Sequence, residues 1–110
     1  MIDWVRVADL RSEIGDDGFG EVIDLFLEET DEVIARLTDQ PVSSDIAREL
    51  HFLKGSALSL GFDDLANLCQ EGERRANLGD HALIDVAQVI TVYHASKAEF
   101  ATGLVQILAA

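Results

Sequence analysis

Cysteine, proline, tryptophan, tyrosine and methionine each occur once in this chain, and Lys and Arg together number 8 against 21 Asp and Glu. Each scarcity excludes something. The single cysteine, Cys69, cannot close an internal disulfide, and its place on the apolar side of a predicted helix fits a buried thiol in a reducing compartment. A formal net charge of −13 repels nucleic-acid phosphates and anionic membrane surfaces, so neither is expected as a partner. No run approaches the ~20 apolar residues of a membrane span. Met1-Ile2-Asp3-Trp4 lacks the basic and apolar organisation of a secretory signal, and the cytoplasm is the expected location. No Walker-type glycine-rich loop is present to hold a nucleotide.

What is present is helical. One proline and eight glycines leave few breakers. Apolar residues recur at helical rather than alternating spacing, so an all-α fold is predicted. With 48% hydrophobic residues and no repeat or low-complexity linker, residues 1–110 are read as one domain with one core. Trp4, Val5, Val7, Leu10 and Ile14 mark a short helix over residues 3–14 that stops at Gly15. Asp16 or Asp17 is placed to cap a long second helix, whose stripe Phe19, Val22, Ile23, Phe26, Leu27, Val33, Ile34 and Leu37 runs to about residue 39. Its run Glu28, Glu29, Asp31, Glu32 reads as a solvated face, because no Glu-x-x-His partner of a di-metal bundle accompanies it.

Gln40-Pro41-Val42 breaks the pattern, with Ser43 or Ser44 as cap of the third helix, and Gly61 ends that helix. Asp63 or Asp64 opens a fourth, on which Leu65, Leu68, Cys69, Gly72 and Ala76 make a narrow stripe with small residues in its C-terminal half, where two helices can approach closely. After the stop at Gly79-Asp80, Ile84, Ala87, Val89, Ile90, Tyr93, Phe100, Leu104 and Ile107 furnish the core side of a last helix to about residue 108. Four long amphipathic helices with short breaks predict an antiparallel up-down four-helix bundle, with the short N-terminal helix as an addition.

The chemistry concentrates in the third helix. Ile46, Leu50, Leu53, Ala57 and Leu60 fall within an arc of about 80°, the stripe a core-facing helix needs. His51 lies about 140° from its centre, on the solvent side with Ala47, Arg48, Lys54, Gly55 and Leu58. A glycine within a helix costs about 1 kcal/mol relative to alanine, and packing requires none on a solvent face. One turn after His51, its missing side chain clears the imidazole for another protein's surface. Arg48 and Lys54, three residues to either side, bring cations suited to an anion bonded to the ring. An imidazole near neutral pH keeps a lone pair on one nitrogen that can attack phosphorus. Together these residues describe a phosphate carrier.

The run His51-Phe52-Leu53-Lys54-Gly55-Ser56-Ala57 through Leu60-Gly61 resembles the signature of histidine-containing phosphotransfer (HPt) domains, and the similarity of architecture extends over nearly the whole chain. The resemblance implies a phosphorelay intermediate rather than an autonomous enzyme. Nε2 of His51 would take phosphate from an aspartyl phosphate or a kinase and pass it to a receiver-domain aspartate. Lys54 would stabilise the phosphoryl oxygens, and Gly55 would admit the partner. Arg48, Ser56 and Leu58 would meet the partner surface, Leu58 against an apolar patch. The expected partners are response-regulator receiver domains and a sensor or hybrid histidine kinase. No resident cofactor is implied, since magnesium and the acceptor carboxylate belong to the receiver; a monomer is expected.

At the position facing the phosphohistidine, often glutamine in such domains, alignment through Gly61 puts Glu73. A carboxylate there repels a phosphoryl group unless Arg74 or Arg75 compensates. His81 and His94 lack this setting and read as surface or satisfied core residues, His94 near Lys97 but without a glycine. Two other readings stay open: a non-phosphorylated docking adaptor that keeps the bundle without the chemistry, favoured by Glu73, and the phosphoacceptor domain of a larger histidine kinase, against which the initiating Met1 and compact ending argue.

Overall fold

The computed structural model describes residues 1–41 and 44–109. Among them the only regular elements are helical: α1 (Trp4–Ile14), α2 (Asp16–Asp39), α3 (Ile46–Leu60), α4 (Asp63–Asn77), a 3-10 turn (His81–Leu83) and α5 (Val86–Ala109). Contacts join α2 to α3, α3 to α4, α4 to α5, and α5 back to α2, while α1 lies on α2 and α3. The pair α3–α4 is the most extensive of these.

The helix ends follow from local chemistry. Asp3 caps α1, its Oδ1 accepting from the Arg6 amide at 3.1 Å. Gly15 sits at φ 92° and ends α1 while serving as N-cap of α2. Asp16 and Asp17 are therefore first-turn residues, where their charge complements the helix dipole, and not the cap. Asp45 holds the N-cap of α3 without a side-chain cap bond, which leaves Ser44 outside the helix; Val42 and Ser43 lie outside the described residues. Gly61 terminates α3 in the left-handed conformation, φ 77°. A side chain there would meet the Asp3 carbonyl oxygen at 2.6 Å. The Asp3 amide donates to Gly61 O at 2.7 Å, and Ile2 bridges Phe62, so the N-terminal segment is laced to the end of α3. Phe62, fully buried, is N-cap of α4, and Asp63 and Asp64 form its first turn rather than its cap.

The core runs through all five helices, with Leu37, Leu50, Leu53, Leu60, Phe62, Leu65, Tyr93 and Phe100 among its most enclosed members. The predicted stripe of α3 is buried as expected. The stripe of α5 holds at Val89, Tyr93 and Phe100 and needs correction at its start. The 3-10 turn delays the helix to Val86, so Ile84 precedes it and Ala87 is exposed, whereas Val86, Val89, Tyr93, Ser96 and Phe100 face inward. Val5 is likewise exposed on α1. Tyr93 ties α5 to α2: its hydroxyl lies 3.0 Å from Thr30 Oγ1 and donates to the Asp31 carboxylate, which also accepts from Lys97 at 2.8 and 3.0 Å. Asp31 thus belongs to a clasp between helices.

Candidate functional site

His51 stands on α3 with its side chain 69% exposed, flanked by the buried Leu50 beneath it. Across the groove, Gly72 of α4 faces Leu50 so closely that a Cβ added there would lie 2.8 Å from Leu50 Cδ1. This is the close approach that the small-residue stripe predicts, and it fixes what happens one residue further along each helix. His51 follows Leu50, Glu73 follows Gly72, and the two side chains meet: His51 Nδ1 lies 2.6 Å from Glu73 Oε2. The other carboxylate oxygen, Oε1, accepts from Lys54 Nζ at 2.6 Å.

Glu73 therefore bridges the two α3 residues singled out from the sequence. Its carboxyl is held below the ordinary glutamate range, first by the hydrogen bond from Lys54 and then by that from His51, against the opposing effect of burial. An ionised carboxylate only accepts hydrogen bonds, so the bonded Nδ1 is a proton-bearing nitrogen, and in the neutral ring this tautomer puts the lone pair on Nε2. Cys69, one turn before Glu73, is fully buried, and its thiol is pushed up to about 12 by burial and then by the Glu73 charge, which leaves it protonated and inert.

The compensation for Glu73 differs from the expectation. Arg74 and Arg75 both turn to Glu71, with contacts of 2.7 and 3.0 Å, and it is Lys54 that pairs with Glu73. The signal was present: Glu71 stands three and four residues before the two arginines, the spacing at which helix neighbours pair.

Gly55 is exposed, and a Cβ built on it meets nothing within 4 Å, so no packing within the chain calls for a glycine. Leu58, 56% exposed, lies one turn beyond Lys54, and Phe52 next to the histidine is also part-exposed. Arg48 is 85% exposed and 3.9 Å from Asp45, a loose pairing that leaves it outside the His51–Glu73–Lys54 group. Ser56 is 6% exposed and packs inward, so its contribution is smallness rather than a side chain offered to a partner. His81 lies in the 3-10 turn, and His94 sits edge-on to Tyr93 with ring centroids 5.5 Å apart. Among the described residues, no group of three or more His, Cys, Asp or Glu side chains is arranged to hold a metal ion.

The phosphorelay protein LuxU of Vibrio vulnificus strain YJ016 is 30% identical over 95 residues, covering 84% of this chain and 82% of the relative. LuxU of Vibrio harveyi is 28% identical over 102 residues, covering 88% and 90%. No solved structure matches. The description of the Hpt domain family matches residues 21–108, from the first turns of α2 to the end of α5, and the chain belongs to that family.

Proposed function

We propose that this protein is a phosphorelay intermediate that accepts a phosphoryl group on His51 Nε2 and exchanges it with receiver-domain aspartates. The observation that carries the reading is the bond between Glu73 and Nδ1, which directs the free lone pair of an exposed imidazole outward. In the forward step that lone pair attacks the phosphorus of an aspartyl phosphate. The N–P bond forms, the P–O bond to the carboxyl breaks, the aspartate leaves as carboxylate, and the proton on Nδ1 remains against Glu73. Phosphoryl transfer depends chiefly on positioning and charge stabilisation. Lys54 serves the latter, Gly55 opens the approach, and Leu58 with Arg48 meets the partner. Magnesium comes with the receiver, and this chain needs no cofactor of its own.

The relatives named phosphorelay proteins support this assignment, and family membership implies histidine kinases and response regulators as partners. We read the ring of α2, α3, α4 and α5 as an antiparallel up-down bundle, with α1 added across it. A charge of −13 opposes self-association, and we take the working form as a monomer in the cytoplasm. No helix among the described residues is long and apolar enough to cross a membrane. The feature that favoured a docking adaptor, a carboxylate at position 73, is accounted for by its bonds to Lys54 and His51.

The test is labelling with radioactive phosphate from kinase and receiver domains of the same cell. Wild type should gain an acid-labile, base-stable label, and His51→Gln should lose it while keeping its helicity and melting temperature, because an exposed side chain contributes little packing. Label retained by His51→Gln would overturn the assignment.

A further inference from the structure

All eight lysines and arginines of the chain are paired with carboxylates. A phosphoryl dianion arriving at His51 therefore finds no unpaired cation, and the most loosely held, Arg48 at 3.9 Å from Asp45, lies outside the His51–Glu73–Lys54 group. Lys54, the nearest by position on the helix face, is bonded to Glu73 at 2.6 Å. To serve the phosphoryl oxygens it must leave Glu73 or be shared with it. In the first case the carboxylate loses its main partner beside a newly arrived anion. In the second, one ammonium and the ring, cationic once it carries both the phosphoryl group and the Nδ1 proton, offset three negative charges. The surrounding surface gives no relief, since the chain carries a net −13 before phosphorylation.

Resting on the phosphocarrier reading, we propose that Glu73 makes phospho-His51 a short-lived station. It occupies Lys54 while the site is empty and opposes the phosphoryl group once it is bound, so phosphate departs readily for a receiver carboxylate. The same residue eases the bond-breaking step. When the N–P bond breaks, its electron pair returns to Nε2 and the phosphoryl group passes to the acceptor oxygen. The proton that Glu73 holds on Nδ1 makes the leaving group a neutral imidazole rather than an imidazolate. Glu73 is thus a positioning residue that also raises the readiness of His51 to give up its phosphoryl group. Part of its effect is Coulombic, so departure slows when salt shortens the screening length from about 10 Å at 0.1 M to about 3 Å at 1 M.

The experiment loads the full chain with phosphoramidate, a small phosphoryl donor, and follows the decay of phospho-His51 by 31P NMR in low and high potassium chloride. Glu73→Gln keeps an oxygen that accepts from Nδ1 and removes only the charge. Its phosphohistidine should outlive the wild type roughly tenfold at low salt, the factor supplied by about one unit charge a few Å away across a solvated site. The gap should narrow at 1 M salt. Lys54→Ala should shorten the lifetime. Glu21→Gln, the same change in net charge at an exposed position near the start of α2, should leave it within about twofold.

Equal lifetimes of wild type and Glu73→Gln would overturn the inference, as would an equal gain in Glu21→Gln, which would make the effect one of overall charge. If wild type takes no phosphoryl group on His51, the phosphocarrier reading falls and this inference with it. If it loads normally but Glu73→Gln decays at the wild-type rate, only this inference falls.

Discussion

Replacing Gly55 should move stability and function in opposite directions. The glycine lies inside α3, exposed, and an added Cβ meets nothing within 4 Å, so no steric penalty offsets the gain in helix propensity. That gain is about 1 kcal/mol for alanine and about 0.5 kcal/mol for glutamine. For a domain near this size, about 1 kcal/mol moves the melting temperature by roughly 4–8 °C. Gly55→Ala should therefore melt about 4–8 °C higher and Gly55→Gln about 2–4 °C higher. Function should follow side-chain reach. Position 55 is one turn from His51, with Cβ atoms about 5–6 Å apart, so a methyl group intrudes little. A glutamine stands where the receiver must bring its carboxylate to about 3–3.5 Å from the imidazole, and a misplacement of about 1 Å costs roughly a hundredfold. Calorimetric melting of the free variants, paired with single-turnover transfer to a receiver domain, reads both effects. A Gly55→Gln protein that melts higher yet transfers at the wild-type rate would refute the steric role. One that melts lower would refute the claim that the free protein has no need of this glycine.

Gly61→Ala should be costly instead, because φ 77° disfavours any side chain and the Asp3 carbonyl stands 2.6 Å from the new Cβ. A loss of at least about 1–2 kcal/mol follows from the conformation alone, seen as a fall in the urea midpoint. The Glu73 carboxyl is held low in the fold, so its ion pair with Lys54 contributes above the ordinary glutamate range and is lost as pH falls through its own lower value. Urea midpoints of wild type and Glu73→Gln should thus differ most near neutral pH and converge on acidification, and a gap that widens toward acid would reverse the sign of the pairing.

Much of this was readable from residue spacing. The stripe of α3 and the outward direction of His51 follow from helical period alone, and Gly15, Gly61 and Gly79 mark breaks because each adopts positive φ. The caps were less legible. Asp16, Asp17, Asp63 and Asp64 suit both the cap and the first turn, and the fold uses a glycine and a buried phenylalanine as caps instead. The start of α5 comes later than the spacing suggests because a 3-10 turn consumes His81–Leu83 before the helix begins, while Val89, Tyr93 and Phe100 keep the expected register. Asp85, whose Oδ1 accepts from the Gln88 amide at 3.0 Å, was the available signal. At the site, sequence indicated which residues face outward but not which neighbour answers Glu73. That depends on the distance between α3 and α4, set by Gly72 against Leu50, which no spacing within one helix can supply.

The central claim is that Glu73 holds the proton on Nδ1 and leaves Nε2 of His51 to carry phosphate. Long-range proton–nitrogen correlation spectra of the phosphorylated, 15N-labelled protein identify the nitrogen bonded to phosphorus. The account predicts a single phosphohistidine, His51 substituted at Nε2 with Nδ1 protonated. A phosphoryl group on Nδ1, or on His81 or His94 in place of His51, would contradict it.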